Sequence, residues 1–179
     1  MPSRPSPIRA IPKYALLENE RRFLVDPAKM PNVESLPYRR ILDRYLVGTR
    51  LRLRSIAHSV TGELEFKFCK KYPTDDPVTG AIVNIYLTAE EHGELAALPA
   101  KVITKRRYLL PHGEGVLSLN VFEGELAGLV LCEAEAETRE ASLAMAFPPW
   151  VGREVTEEVF FTGGHLCTLS PNELAGAID

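Results

Sequence analysis

The chain is poor in the residues that usually advertise chemistry. It holds only three cysteines, Cys69, Cys132 and Cys167, with no CxxC spacing. A disulfide framework and a zinc site are therefore not indicated, and a reducing, cytoplasmic setting is expected. The four histidines, His58, His92, His112 and His165, show no ligand spacing. No GxSxG elbow and no P-loop occur, which sets aside triad hydrolysis and Walker-type chemistry. No run approaches the roughly 18 apolar residues of a membrane span. The N-terminus lacks the apolar stretch of a secretory signal. It is instead punctuated by Pro2, Pro5, Pro7 and Pro12, which reads as a flexible tail over residues 1–13 ahead of one domain over 14–179. Net charge is small as well: 21 basic and 24 acidic residues leave −3. Any functional charge must come from local segregation.

That segregation is present. Glu18-Asn19-Glu20-Arg21-Arg22, Arg50-Leu51-Arg52-Leu53-Arg54 and Glu133-Ala134-Glu135-Ala136-Glu137 each place like charges two residues apart. On a strand this spacing sends them to one face, roughly 6.6–6.8 Å apart. Such rows repel themselves unless a counter-ion sits between them. Carboxylate rows suit a divalent cation, and arginine rows suit a polyanion.

Alternation predicts strands over residues 16–25, 49–56, 63–71, 101–109, 115–123 and 129–137, with a more apolar one over Ala81–Leu87. Thr88 and Glu91 form a capping box that opens a helix to about Leu98. Further helices are predicted over 138–147, from Ser170-Pro171 onward, and over 34–45 in spite of Pro37. Turns are expected at Asp75-Asp76-Pro77, at His112–Gly115 and at Gly163-Gly164. The polar strand faces are sorted by sign. Gathered inward by a closed or nearly closed antiparallel sheet, four carboxylates (Glu18, Glu20, Glu133, Glu135) would face seven cations (Arg22, Arg50, Arg52, Arg54, Lys67, Lys105, Arg107), an excess of three positive charges. Lys70 and Lys71 read as surface charges. Glu63 and Glu65 share the face of Lys67 and are candidate ion-pair partners for it. The arginine row alternates with Leu51 and Leu53 rather than with aromatics, which argues against a nucleic-acid surface.

Glu18-Asn19-Glu20-Arg21-Arg22 is similar to the ExExK signature of CYTH-domain proteins, the triphosphate tunnel metalloenzymes. Agreement continues in order through Arg50/Arg52/Arg54, Lys67, Lys105-Arg106-Arg107-Tyr108, Asn120–Gly124, Gly128–Leu131, Glu133-Ala134-Glu135 and Trp150–Thr156. The resemblance implies an α+β fold: an eight-stranded antiparallel β tunnel, closed or nearly closed, with a polar lumen and flanked by helices; the C-terminal helix is expected to close or line one tunnel mouth. It implies Mg²⁺ or Mn²⁺ as cofactor, with Glu18 and Glu20 matching one metal-binding pair and Glu133 and Glu135 a later pair. Asn120 stands near the metal, where many members carry aspartate. Arg22, Arg50, Arg52, Arg54, Lys67, Lys105 and Arg107 match the substrate-binding cations. Glu18, Glu20 and Lys105 are assigned to the chemical step.

The implied activity is hydrolysis of a small triphosphate, inorganic tripolyphosphate first, by a monomer or homodimer. Adenylate cyclase, thiamine triphosphatase and a non-catalytic polyphosphate- or nucleotide-binding module are the alternatives. The chain departs from the pattern at Arg22, where lysine is usual, at Asn120, and along Ala81–Tyr86, which lacks the acids many members have there. The missing acids favour the binding module more than they would in a typical member.

Overall fold

A computed structural model describes residues 11–72, 74–113 and 115–178. Most of the expected tail lies outside the described residues. The seven expected strand segments and one more segment form eight strands among the described residues: β1 (Leu16–Leu24), β2 (Arg39–Leu46), β3 (Leu51–His58), β4 (Leu64–Tyr72), β5 (Thr79–Leu87), β6 (Ala100–His112), β7 (Gly115–Glu123) and β8 (Val130–Ala136). They close into one barrel in the order β1-β5-β4-β3-β2-β6-β7-β8, with every neighbouring pair antiparallel. Period-two alternation then separates an outer face from an inner one.

The two faces bury different things. Outside, Phe23, Tyr108, Leu117, Leu119, Val130 and Cys132 form a core that Phe147 and Trp150 cover. The rings of Phe23 and Phe147 lie 4.3 Å apart. A second core, Ile103, Phe122 and Leu131 with Val155, Phe161, Leu166, Leu169 and Leu174, joins strands β6–β8 to the C-terminal segment. Each fully buried side chain of this kind contributes about 1.5–3 kcal/mol.

Four α-helices complete the fold among the described residues: α1 (Ala89–Ala96), α2 (Arg139–Ala144), α3 (Gly163–Leu166) and α4 (Pro171–Ile178). The Thr88 capping box forms as expected, with Thr88 accepting from the Glu91 backbone and Glu91 accepting from the Thr88 backbone. Helix α4 buries Leu174 and packs behind the segment 159–166, which is the part that faces the barrel interior.

Two sequence expectations are corrected here. Residues 34–45 are not a helix, because most of this stretch forms β2, paired along its length with β3 and β6. The apolar residues Ile41, Leu42, Tyr45 and Leu46 suit a helical stripe, but in the barrel each face of β2 carries both apolar and charged residues, and polar–apolar alternation is lost. Gly163-Gly164 is the start of α3 rather than a bare turn. Gly163 is needed for space: a Cβ there would lie 1.9 Å from the Tyr45 hydroxyl. Gly163→Ala is expected to lower stability by about 1–3 kcal/mol, the usual cost of overpacking. Urea denaturation followed by tyrosine and tryptophan fluorescence measures it, and an unchanged midpoint would contradict the contact.

Candidate functional site

The barrel encloses a cavity of about 840 Å³, within the range of small-molecule sites. Its lining includes all four expected carboxylates, Glu18, Glu20, Glu133 and Glu135, and all seven expected cations, Arg22, Arg50, Arg52, Arg54, Lys67, Lys105 and Arg107. Two charged residues join them that the sequence reading did not place there. Asp43 comes from β2, the strand read as a helix. Lys71 was read as a surface charge; β4 instead brings it inward, 3.2 Å from Glu18. Five acids and eight bases leave the same excess of three positive charges.

Register sorts the lumen into an acidic and a basic wall. On the acidic side Glu20 stands opposite Glu135 across β1 and β8, and Glu18 lies two residues earlier on β1. Like charges so placed repel. Burial, then Glu20 and Glu18, pushes the Glu135 carboxyl above its ordinary value. Glu20 first, then Glu18, raises the Lys71 ammonium against the lowering effect of burial. Arg22 reaches Glu20 at 3.5 Å and donates to the Phe161 carbonyl at 3.1 Å. Its forked head thus serves the acidic wall and the C-terminal segment together, which a lysine's single ammonium does less readily.

On the basic side Arg54 stands opposite Lys67, another like-charge pair. Asp43, 2% exposed, accepts from Arg54 Nε at 2.6 Å and Nη2 at 2.7 Å. Arg52 Nε lies 3.5 Å from the same carboxylate. Burial alone would raise the Asp43 carboxyl, but Arg54 and Arg52 hold it well below the carboxylate range. Lys105, 6% exposed, lies between the walls, 3.9 Å from Glu133. Its burial outweighs Glu133 and pushes its amine down to about 7. Glu65 pairs with Lys67 at 3.2 Å and with His58 at 2.8 Å, whereas Glu63 is exposed.

Glu133 and Asn120 are arranged differently from the other acids. Glu133 is ion-paired with Arg107 and approached by Lys105; Lys105, Arg107 and Arg22 hold its carboxyl low against its burial. Asn120 is wholly buried and does not line the cavity. Its carbonyl oxygen accepts from Arg107 Nε at 2.9 Å, and its amide donates to the carbonyls of Ser118 and Leu131. Asn120 thus orients Arg107 and leaves its oxygen engaged.

No family model matches the chain. An inorganic triphosphatase of Nitrosomonas europaea is 41% identical over 64 residues, 35% of this chain. The match spans 42% of that relative's length. The crystal structure of the inorganic triphosphatase NE1496 superposes with a TM-score of 0.56 at 25% identity, covering 86% of this chain and 96% of the other. The chain shares the tunnel fold of that triphosphatase. A candidate adenylate cyclase from Bacillus halodurans shares the fold, with a TM-score of 0.53 at 15% identity over 73% of this chain and 86% of the other. No helix among the described residues is long and apolar enough to cross a membrane.

Proposed function

We propose that the chain is a metal-dependent phosphohydrolase that cleaves a small triphosphate inside its barrel, with inorganic tripolyphosphate the favoured substrate. The observation that carries this reading is the convergence of eight cations and five acids, from six strands and the turn before β3, on one cavity. Arginine forks and lysine ammoniums suit closely spaced phosphate oxygens. Both relatives named as inorganic triphosphatases support the reading.

The family implies a divalent metal, and the acidic wall fits one. Glu18, Glu20 and Glu135 offer hard oxygens, and the Glu20–Glu135 repulsion is what a cation would relieve. Among the described residues no three such groups are already clustered as a metal site. Water and substrate phosphate would therefore complete the shell, as magnesium prefers. Glu133 belongs to the same expected set, although Arg107 and Lys105 already engage it. When bound, Mg²⁺ or Mn²⁺ supplies charge neutralisation and orientation of the phosphates.

The protein's own groups do the rest. Arg52, Arg54, Lys67 and Arg107 bind and align the phosphate chain. Lys105 Nζ sits deep in the lumen with its amine lowered to about 7, and an arriving phosphate favours its charged form. Phosphoryl transfer needs mainly this positioning and electrostatic support. The reading takes a monomer or homodimer in a cytoplasmic setting, with no nucleic-acid or membrane partner.

An activity panel tests it. Tripolyphosphate, ATP and thiamine triphosphate are each incubated with the protein and Mg²⁺ or Mn²⁺. Phosphate release fastest from tripolyphosphate and abolished by EDTA is expected. Cyclic AMP with pyrophosphate would indicate cyclase action, and tight binding without product a binding module.

A further inference from the structure

The acid the sequence reading missed has no evident reason to be in an anion site. Asp43 is ionised, buried and aimed into a cavity whose proposed ligand is a polyanion, so simple electrostatics says it should weaken binding. Its geometry argues otherwise. Strand β2 sets Asp43 directly opposite Arg54 and Tyr45 opposite Arg52. The carboxylate takes both Nε and Nη2 of Arg54. Two parallel bonds fix the plane of a guanidinium as well as its position. Arg52 Nε is buried with no hydrogen-bond partner, and the nearby Asp43 oxygen is the acid that faces it. Without that acid, Arg52 and Arg54 would repel each other from adjacent inward positions of one strand, and Lys67 would repel Arg54 across β3 and β4.

We propose that Asp43 is a positioning residue that holds Arg52 and Arg54 as an aligned cationic pair, ready for the phosphates before they arrive. This rests on the triphosphate reading above. Asp43 makes no contact with the substrate in this scheme. It binds the Nε–Nη2 edge of Arg54, leaves Nη1 outside the pair, and anchors Arg52 by charge. Preorganisation of this kind lowers the ordering cost of binding. It outweighs the repulsion between carboxylate and phosphate because both carboxylate oxygens are already engaged by Arg54.

The test turns on opposite signs. Tripolyphosphate binding is measured by titration calorimetry at low temperature for the wild type and Asp43→Asn, which keeps shape and removes charge. The positioning role requires Asp43→Asn to bind about tenfold or more weakly. Equal or tighter binding by the folded variant overturns it. A second readout needs neither the variant nor the substrate. In ¹⁵N NMR of the wild type, the Arg54 Nε–H should exchange slowly, as a buried donor does, and that of exposed Arg40 quickly. Rapid exchange at Arg54 overturns the proposal even if Asp43→Asn fails to fold. If the wild type binds no tripolyphosphate, the triphosphate reading falls, and the Arg54 resonance alone decides the role of Asp43.

Discussion

Asp43→Ala should lower the stability of the protein by about 3–5 kcal/mol, the cost of breaking a buried ion pair and leaving its partners uncompensated. For a chain of this length that is roughly a 6–20 °C fall in melting temperature. The wild-type carboxylate is 2% exposed and faces two arginines, so solvent screening offers little relief. The effect also has a signed pH dependence. Arg54 and Arg52 hold the folded-state carboxyl below its unfolded value. Its contribution is therefore fully present above about pH 4, the unfolded carboxyl range, and is lost as pH falls toward the lower folded value. Urea melts of both proteins at pH 7 and pH 3 measure this. The gap between them should narrow at pH 3. A variant as stable as the wild type, or a gap that ignores pH, would contradict the assignment of Asp43 as the lumen's buried counter-charge.

Glu20→Gln should cost about 100-fold or more in phosphate release while leaving the fold intact. Glu20 faces Glu135 across the strand pair and sits near Glu18, so in the metal-free protein it is a source of repulsion. Replacing it by glutamine relieves that repulsion but gives up its attraction for Arg22 and Lys71, so the net change is a few tenths of a kcal/mol, within the span of cross-strand pairs. The same change removes a hard, charged ligand from the acidic wall, and metal-assisted chemistry loses several kcal/mol of transition-state support when its ion is misplaced. Lost activity in a fold of unchanged stability is the signature. Melting temperature without metal should hold while turnover collapses. A variant that loses both together would make Glu20 a structural residue instead.

The inner face of the barrel was legible wherever a strand keeps one face polar and the other apolar. Arg50, Arg52 and Arg54 alternate with Leu51 and Leu53, and Glu133 and Glu135 with Ala134, so parity alone assigned their direction. It failed at β2, whose inward residues Ile41, Asp43 and Tyr45 mix apolar and charged, as do its outward residues Arg40, Leu42 and Arg44. A lumen that needs Asp43 charged beside buried Ile41 leaves no alternation to read. Asp43 was lost with it. A signal did exist: Gly48, at φ +75°, marks a tight turn just before the arginine row, and a hairpin turning there sets Asp43 against Arg54. Lys71 was set aside because charge near a strand end usually points to water; here the acids on β1 draw it inward. Asn120 had the right parity but not the right freedom, since its depth commits both ends of the amide. Hydrogen bonds of that kind depend on tertiary distance and leave no mark in the spacing of residues.

A crystal of the protein grown with Mn²⁺ and tripolyphosphate tests the central claim most directly. Anomalous scattering should place Mn²⁺ against the Glu18, Glu20 and Glu135 carboxylates, with phosphate oxygens on Arg52, Arg54 and Lys105. Manganese and phosphates found only on the outer surface, with the lumen holding water alone, would contradict it.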